Sequence, residues 1–194
     1  MHTQIEFPEN VFLIDAAYLN FVISDLKGYF EKVLGRSLKK VDVAELMILF
    51  ALDAGLEENR PDQQVQVIWI YDKENDHLRD CMPSGLRDEL DGVGFSDQLG
   101  EFRFATVSPE DMVSREDLYE DMLRILSEAT SVRKLVLIGF EEVYEEELYS
   151  NAAGKSGKQF VNFVMSERSD KGNVCSETLA YPLMQALGIR GEEL

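Results

Sequence analysis

Three short apolar runs constrain this chain more than any other feature: VFLID at Val11 to Asp15, VQVIWIYD at Val65 to Asp72, and KLVLIGF at Lys134 to Phe140. Each is nearly unbroken by polar positions and rich in β-branched or aromatic residues, the pattern of a strand covered on both faces. Between them lie segments with the 3.6-residue period. One is Ala16 to about Arg36, with apolar rows at Tyr18, Val22, Leu26, Tyr29 and Val33 and at Leu19, Ile23, Phe30 and Leu34. A second is VAELMILFALDAGL, opened by an Asp42/Glu45 capping box and ending near Gly55; a third opens at Ser114 and carries Leu118, Met122, Ile125 and Leu126. FRFATVS alternates like a half-exposed edge strand, FVNFVMSE reads as a last strand, and a helix over Leu179 to Leu187 closes at Gly188. Leu86 to Val93 reads as a short helix after an exposed loop, KENDHLRDCMPSG. Alternation of this kind predicts an α/β protein: a three-layer α/β/α domain over 1–194 with a mostly parallel, roughly five-stranded sheet.

The 37 acids against 19 Lys and Arg give a formal net charge of −18 over 194 residues. Nucleic-acid affinity rests on cationic contacts to phosphate, so this field disfavours RNA or DNA unless a local basic patch or a bound metal ion supplies them. The uncharged runs fall far short of the ~20 apolar residues that span a bilayer. The N-terminal MHTQIEFPEN has no basic stretch ahead of an apolar one, which argues against a secretory signal and makes a cytoplasmic protein the expectation. Cys81 and Cys175, with no Cys or His at metal spacing, read as reduced thiols.

In open sheets of this type ligands bind beyond the carboxyl ends of the strands, where the strand order reverses. Asp15 ends the first strand, Asp72 the second, and Glu141 and Glu142 follow KLVLIGF, so the sequence places several carboxylates at one edge of the sheet. Converging carboxylates raise one another's pKa or recruit a hard cation such as Mg²⁺ or Mn²⁺. Asp15 also fits the N-cap of the helix that follows. Asp117 stands at capping-box spacing from Ser114, Asp121 lies one turn further along the same face, Asp72 suits a turn, and Glu141 to Glu147 suits a solvated segment.

In order and spacing the chain resembles the NYN branch of the PIN-like nucleases, over roughly residues 10 to 167. The counterparts are VFLID, SREDLYEDMLRIL and LVLIGFEEVY. The resemblance implies a small, mostly parallel α/β domain that cleaves RNA with clustered acids and Mg²⁺. It implies Asp15 as the central metal ligand, Asp117 or Asp121 from the helix, and Glu142 at the second acidic position after the late strand. Where that family has Gly-x-Asn after the first Asp, this chain has Ala16, Ala17 and Tyr18, with Asn20 two positions late. Ile138 and Phe140 stand where the late motif would have its Ser and first Asp. The catalytic set is incomplete, so the expectation is a non-catalytic binding or assembly module that retains at most a divalent metal or nucleotide site. The alternative is a Mg²⁺- or Mn²⁺-dependent ribonuclease with a modified ligand set.

Other signals point elsewhere. AAGKSGKQ fails as a Walker A loop because Tyr149 stands five before Gly154, leaving Lys155 and Lys158 on a connection between strands. Neither His2 nor His77 sits in a catalytic motif. Lys27, Lys32, Arg36, Lys39 and Lys40 outnumber Asp25 and Glu31 near the end of the first helix. They form a basic stripe suited to an anion, to an acidic protein partner, or to the Glu116 to Asp121 helix of a second copy in self-association.

Overall fold

A computed structural model describes residues 6–194; His2 lies outside this range. Its main sheet has seven strands, six of them parallel. In chain order they are β1 (Asn10–Asp15), β3 (Gln64–Ile70), β5 (Gly94–Asp97), β6 (Gly100–Val107), β7 (Lys134–Ile138), β8 (Gln159–Val164) and β9 (Val174–Thr178), arranged β5-β6-β3-β1-β7-β8-β9. β2 (Val41–Asp42) and β4 (Cys81–Met82) pair separately. The chain leaves β1 outward through β3 and β6, then returns to the other side of β1 with β7. The reversal therefore falls between β1 and β7.

β1 is central because every one of its six residues is buried, so it needs cover on both faces. Its side chains alternate between two cores. Phe12 and Ile14 join Trp69, Val136 and Phe163 under α1 (Ala16–Leu34), α2 (Val43–Asp53) and α5 (Ala180–Ala186). Val11 and Leu13 join Ile68, Ile70 and Leu137 under α3 (Arg115–Glu128) and α4 (Glu141–Ala152).

Helix starts and stops follow local chemistry. The Asp42 side chain accepts from the Glu45 amide at 3.0 Å, and the Ser114 hydroxyl accepts from the Asp117 amide at 3.0 Å. α1 stops at Gly35, whose φ of +65° is the left-handed conformation that glycine adopts without strain.

The structure departs from the expectations in four places. FRFATVS is not an edge: β6 pairs with β3 on one side and with β5 on the other. β9 extends the opposite edge beyond FVNFVMSE. The loop after β3 contains β4 and buries Leu78 and Cys81. The acidic run Glu141 to Glu147 is helical, its buried row at Tyr144, Leu148 and Ala152 following the i+4 spacing while most of its acids face solvent.

Candidate functional site

Asp15 sits at the carboxyl end of β1, at the reversal point, and is fully buried. Its Oδ1 caps α1, accepting from the amides of Ala17 at 3.0 Å and Tyr18 at 3.4 Å. Its Oδ2 accepts from the Tyr144 hydroxyl at 2.7 Å. The cap role and the site position therefore coincide in one carboxylate.

The charge on Asp15 is met by Arg115, the first residue of α3. Its Nε lies 3.0 Å from Asp15 Oδ1, an ion-pair approach whose N–H is not aligned as a hydrogen bond. Its Nη1 donates to Asp72 and its Nη2 to Glu116 at 3.0 Å, so one guanidinium collects three carboxylates. The Phe140 ring lies 6.0 Å from the guanidinium carbon and packs on Tyr18 at 4.8 Å between centroids. Only 12% of the Arg115 side chain is exposed.

Two tyrosines complete the floor. Tyr119 and Tyr144 stack with centroids 4.0 Å apart, and the Tyr119 hydroxyl donates to the Leu13 carbonyl at 3.3 Å. Gly139 makes this possible, because a Cβ there would stand 2.7 Å from the Tyr144 ring.

Electrostatics follow from burial. Desolvation raises the Asp15 pKa, opposed by the Tyr144 hydrogen bond and the Arg115 charge. Burial works against the Arg115 cation, yet Asp15 and Asp72 outweigh it and hold the guanidinium still more firmly charged. Tyr144 is pushed up by burial and by Asp15, so its hydroxyl remains a donor.

Of the acids named from the sequence, Asp72 shares the Arg115 guanidinium with Asp15, while Asp117, Asp121 and Glu142 do not join it. Asp117 is exposed on the first turn of α3, where its backbone is capped by Ser114. Asp121 is exposed and pairs with Arg124 at 3.2 Å. Glu142 is exposed on the first turn of α4. Its neighbour Glu141 instead accepts from the amides of Met165 at 3.1 Å and Ser166 at 3.4 Å and from the Ser166 hydroxyl, tying the segment after β8 to α4. Among the described residues no group of three or more His, Cys, Asp or Glu is placed to hold a metal ion. Mg²⁺ or Mn²⁺ wants several oxygen donors around an accessible position. Here the one central carboxylate already has a hydroxyl, two amides and a guanidinium around it, so the residues present do not fit a divalent metal.

A family model described as a family of unknown function, DUF6621, matches residues 4–194. The chain belongs to DUF6621. No curated protein and no solved structure matches it.

The remaining sequence signals find structural roles in the DUF6621 chain. Asn20 is buried, donates to the His77 carbonyl at 2.9 Å and accepts from the Arg79 amide at 3.1 Å, fastening the loop after β3 to α1. His77 is exposed and contacts Asp76 at 2.6 Å. Lys158 is buried and its ammonium donates to the carbonyls of Leu126, Ser127 and Ala129 at 2.7, 2.8 and 2.8 Å, closing the end of α3. Burial and nearby Lys155 push it down to about 8, still charged at neutral pH. The basic stripe is largely neutralised within the chain: Lys27 pairs with Glu31 and Asp80, Arg36 with Glu193, and Lys39 with Glu45.

Sequence reasoning missed Arg115 and Tyr144. Arg115 had a signal. It is a lone cation at the start of an acidic helix, where the positive end of the helix dipole disfavours it. Beside its neighbour Glu116, such a base is satisfied by acids from outside the helix, and Asp15 at the end of β1 and Asp72 after β3 were the candidates.

Proposed function

We propose that this DUF6621 chain is a PIN/NYN-like domain that works as a non-catalytic binding or assembly module. The observation that carries the reading is the Arg115 guanidinium, set between Asp15 and Asp72 at the sheet's reversal point. A guanidinium balances the charge of a buried carboxylate as a divalent cation would. It offers no coordination position for water and does not generate a metal-bound hydroxide, the nucleophile that metal-dependent phosphodiester hydrolysis requires. The site as built is an ion cluster, buried at Asp15 and partly exposed at Asp72 and Glu116, that ties the start of α3 to the β1–α1 junction.

Thermal melting of the wild type and Asp15→Asn, with and without millimolar Mn²⁺, tests this. Ligands that bind the native state raise its stability by mass action. The expected result is the same small response in both proteins, with no heat of Mn²⁺ binding in calorimetry of the wild type. A Mn²⁺-dependent rise confined to the wild type, with cleavage of single-stranded RNA that Asp15→Asn loses, would overturn the proposal in favour of the ribonuclease.

A further inference from the structure

The outer face of α1 carries an unusual set of exposed residues: Phe21 at 60%, Tyr29 at 61% and Val33 at 58%, with Ser24, Asp25, Gly28 and Lys32 exposed among them. At about 100° per residue, Gly28, Phe21, Lys32, Asp25 and Tyr29 fall within an arc of about 100°, with Val33 at its margin. Two features of this face bear on what could cover it. Gly28 lies inside a 19-residue helix, where glycine is less favoured than any residue but proline, yet a Cβ there would meet nothing within 4 Å. Asp25 and Lys32 enter no ion pair with any described residue, although their neighbours Lys27, Glu31 and Arg36 all do.

Both features are explained by one partner, a second copy of the same helix. When two α1 helices cross antiparallel about a two-fold axis near Gly28, residues whose numbers sum to about 57 face each other. Gly28 then lies against the partner copy's Gly28, where the absent side chains let the two backbones approach closely, and Tyr29 lies on the flank of the contact. Asp25 meets the partner's lysine, and Lys32 its aspartate. A two-fold interface makes each contact twice, so the face must be self-complementary, and a face bearing one acid and one base at equal distances from its centre is. Phe21 and Val33 lie towards the two ends of the contact and supply its apolar area. A nucleic acid does not meet these requirements, since Lys32 is matched by Asp25 on the same face. The complementarity also differs from the pairing of the basic stripe with the acidic α3 of a neighbour that the sequence alone suggested, because Lys27, Arg36 and Lys39 are already neutralised at home.

We infer that this chain forms a two-fold homodimer through the outer face of α1, with Gly28 at the crossing point and reciprocal Asp25–Lys32 ion pairs. The inference rests on the reading of the protein as an assembly module and names its partner.

The test is sedimentation equilibrium of the full chain across a concentration series at near-physiological salt. The expected result is reversible association from the 22.1 kDa monomer to twice that mass. Gly28→Arg puts a good helix former on an open surface, so it leaves the circular dichroism spectrum intact, and the melting temperature intact or improved when both proteins are compared at concentrations where they are monomeric, while weakening the dimer at least tenfold. Asp25→Lys alone places two pairs of like charges together and has the same effect. Asp25→Lys combined with Lys32→Asp restores the pairs and recovers association to within a few-fold of the wild type. A wild type that stays monomeric at all concentrations overturns the inference, and so does a dimer indifferent to Gly28→Arg or a double reversal that fails to rescue while folded. All of these outcomes are read in EDTA. They are therefore separate from the Mn²⁺ response, which bears on the non-catalytic reading alone.

Discussion

At the residue scale the protein turns on how a fully buried carboxylate is neutralised. Asp15 has two amides, a hydroxyl and the Arg115 guanidinium around it, and only the last carries charge. Removing one member of a buried pair leaves the other uncompensated, at a cost of about 3–5 kcal/mol. Arg115→Gln should therefore lower stability by about that amount at neutral pH, measured by urea denaturation. The pH dependence has a definite sign. Burial already raises the Asp15 pKa above its ordinary 3.8, and losing the guanidinium raises it further. The folded variant then holds a proton that the unfolded chain has released. Its stability falls as pH rises through the window above 3.8, and the deficit against wild type shrinks as pH is lowered towards that value. Asp15→Asn combined with Arg115→Gln removes both charges and should cost less than Arg115→Gln alone. A variant Arg115→Gln as stable as the wild type at pH 7 would show that the Tyr144 and amide contacts suffice.

At the scale of elements, legibility tracked length and apolar continuity. β1, β3 and β7 could be read because strands buried on both faces must be apolar throughout. β5, GFSD, and β9, VCSET, could not. They are short, partly polar and at or near the sheet's margins, where one face or edge meets solvent. α4 was hidden by its acids, which dominate the composition although the Tyr144, Leu148 and Ala152 row decides its fold. Contacts between distant elements were also invisible. The end of α1 is tied to the C-terminal turn Gly191–Glu193 by Arg36, which reaches Glu193 at 2.7 and 2.8 Å and the Gly188 carbonyl at 3.0 Å. The Arg36 hydrogen bonds hold the Glu193 carboxyl down to about 2, helped by the Arg190 amide. A depressed carboxyl stabilises the fold above its ordinary 4.5 and loses that contribution as pH falls from 4.5 towards 2. Glu193→Gln should accordingly melt lower than wild type at pH 7, with the gap closing at the acid end of that window. An unchanged gap across the window would place the loss in packing rather than charge.

At the scale of the whole molecule, the sequence marked the carboxyl ends of the strands and the acids that close them, because these are local features, while the strand order that puts the reversal beside Asp15 is not. It did not show that Asp117, Asp121 and Glu142 face solvent while an arginine enters the site, because those outcomes depend on how α3 and α4 rotate onto the sheet. The same global view governs how the protein responds to salt. With 37 acids against 19 Lys and Arg, an excess of 18 negative charges, nearly half of the acids, has no basic charge in the chain to balance it. Screening weakens both the attractions and the repulsions. The attractions are mostly exposed pairs such as Arg60–Glu9 and Arg103–Glu101, each worth about 0–1 kcal/mol. The repulsion is collective: in α3 and α4, Glu116, Asp117, Asp121 and Glu147 surround Glu120 and, after burial, raise its pKa. Self-repulsion of a chain at −18 should outweigh the exposed pairs, and its relief by salt should show as a melting temperature that rises between about 10 mM and 150 mM NaCl, as the Debye length shrinks from about 30 to about 8 Å. The buried Asp15–Arg115 pair is shielded from solvent and contributes little to the trend, so Arg115→Gln should show the same rise from a lower starting point. Differential scanning calorimetry at fixed pH decides it. A melting temperature that falls with salt would mean that the surface pairs are arranged well enough to outweigh the net charge.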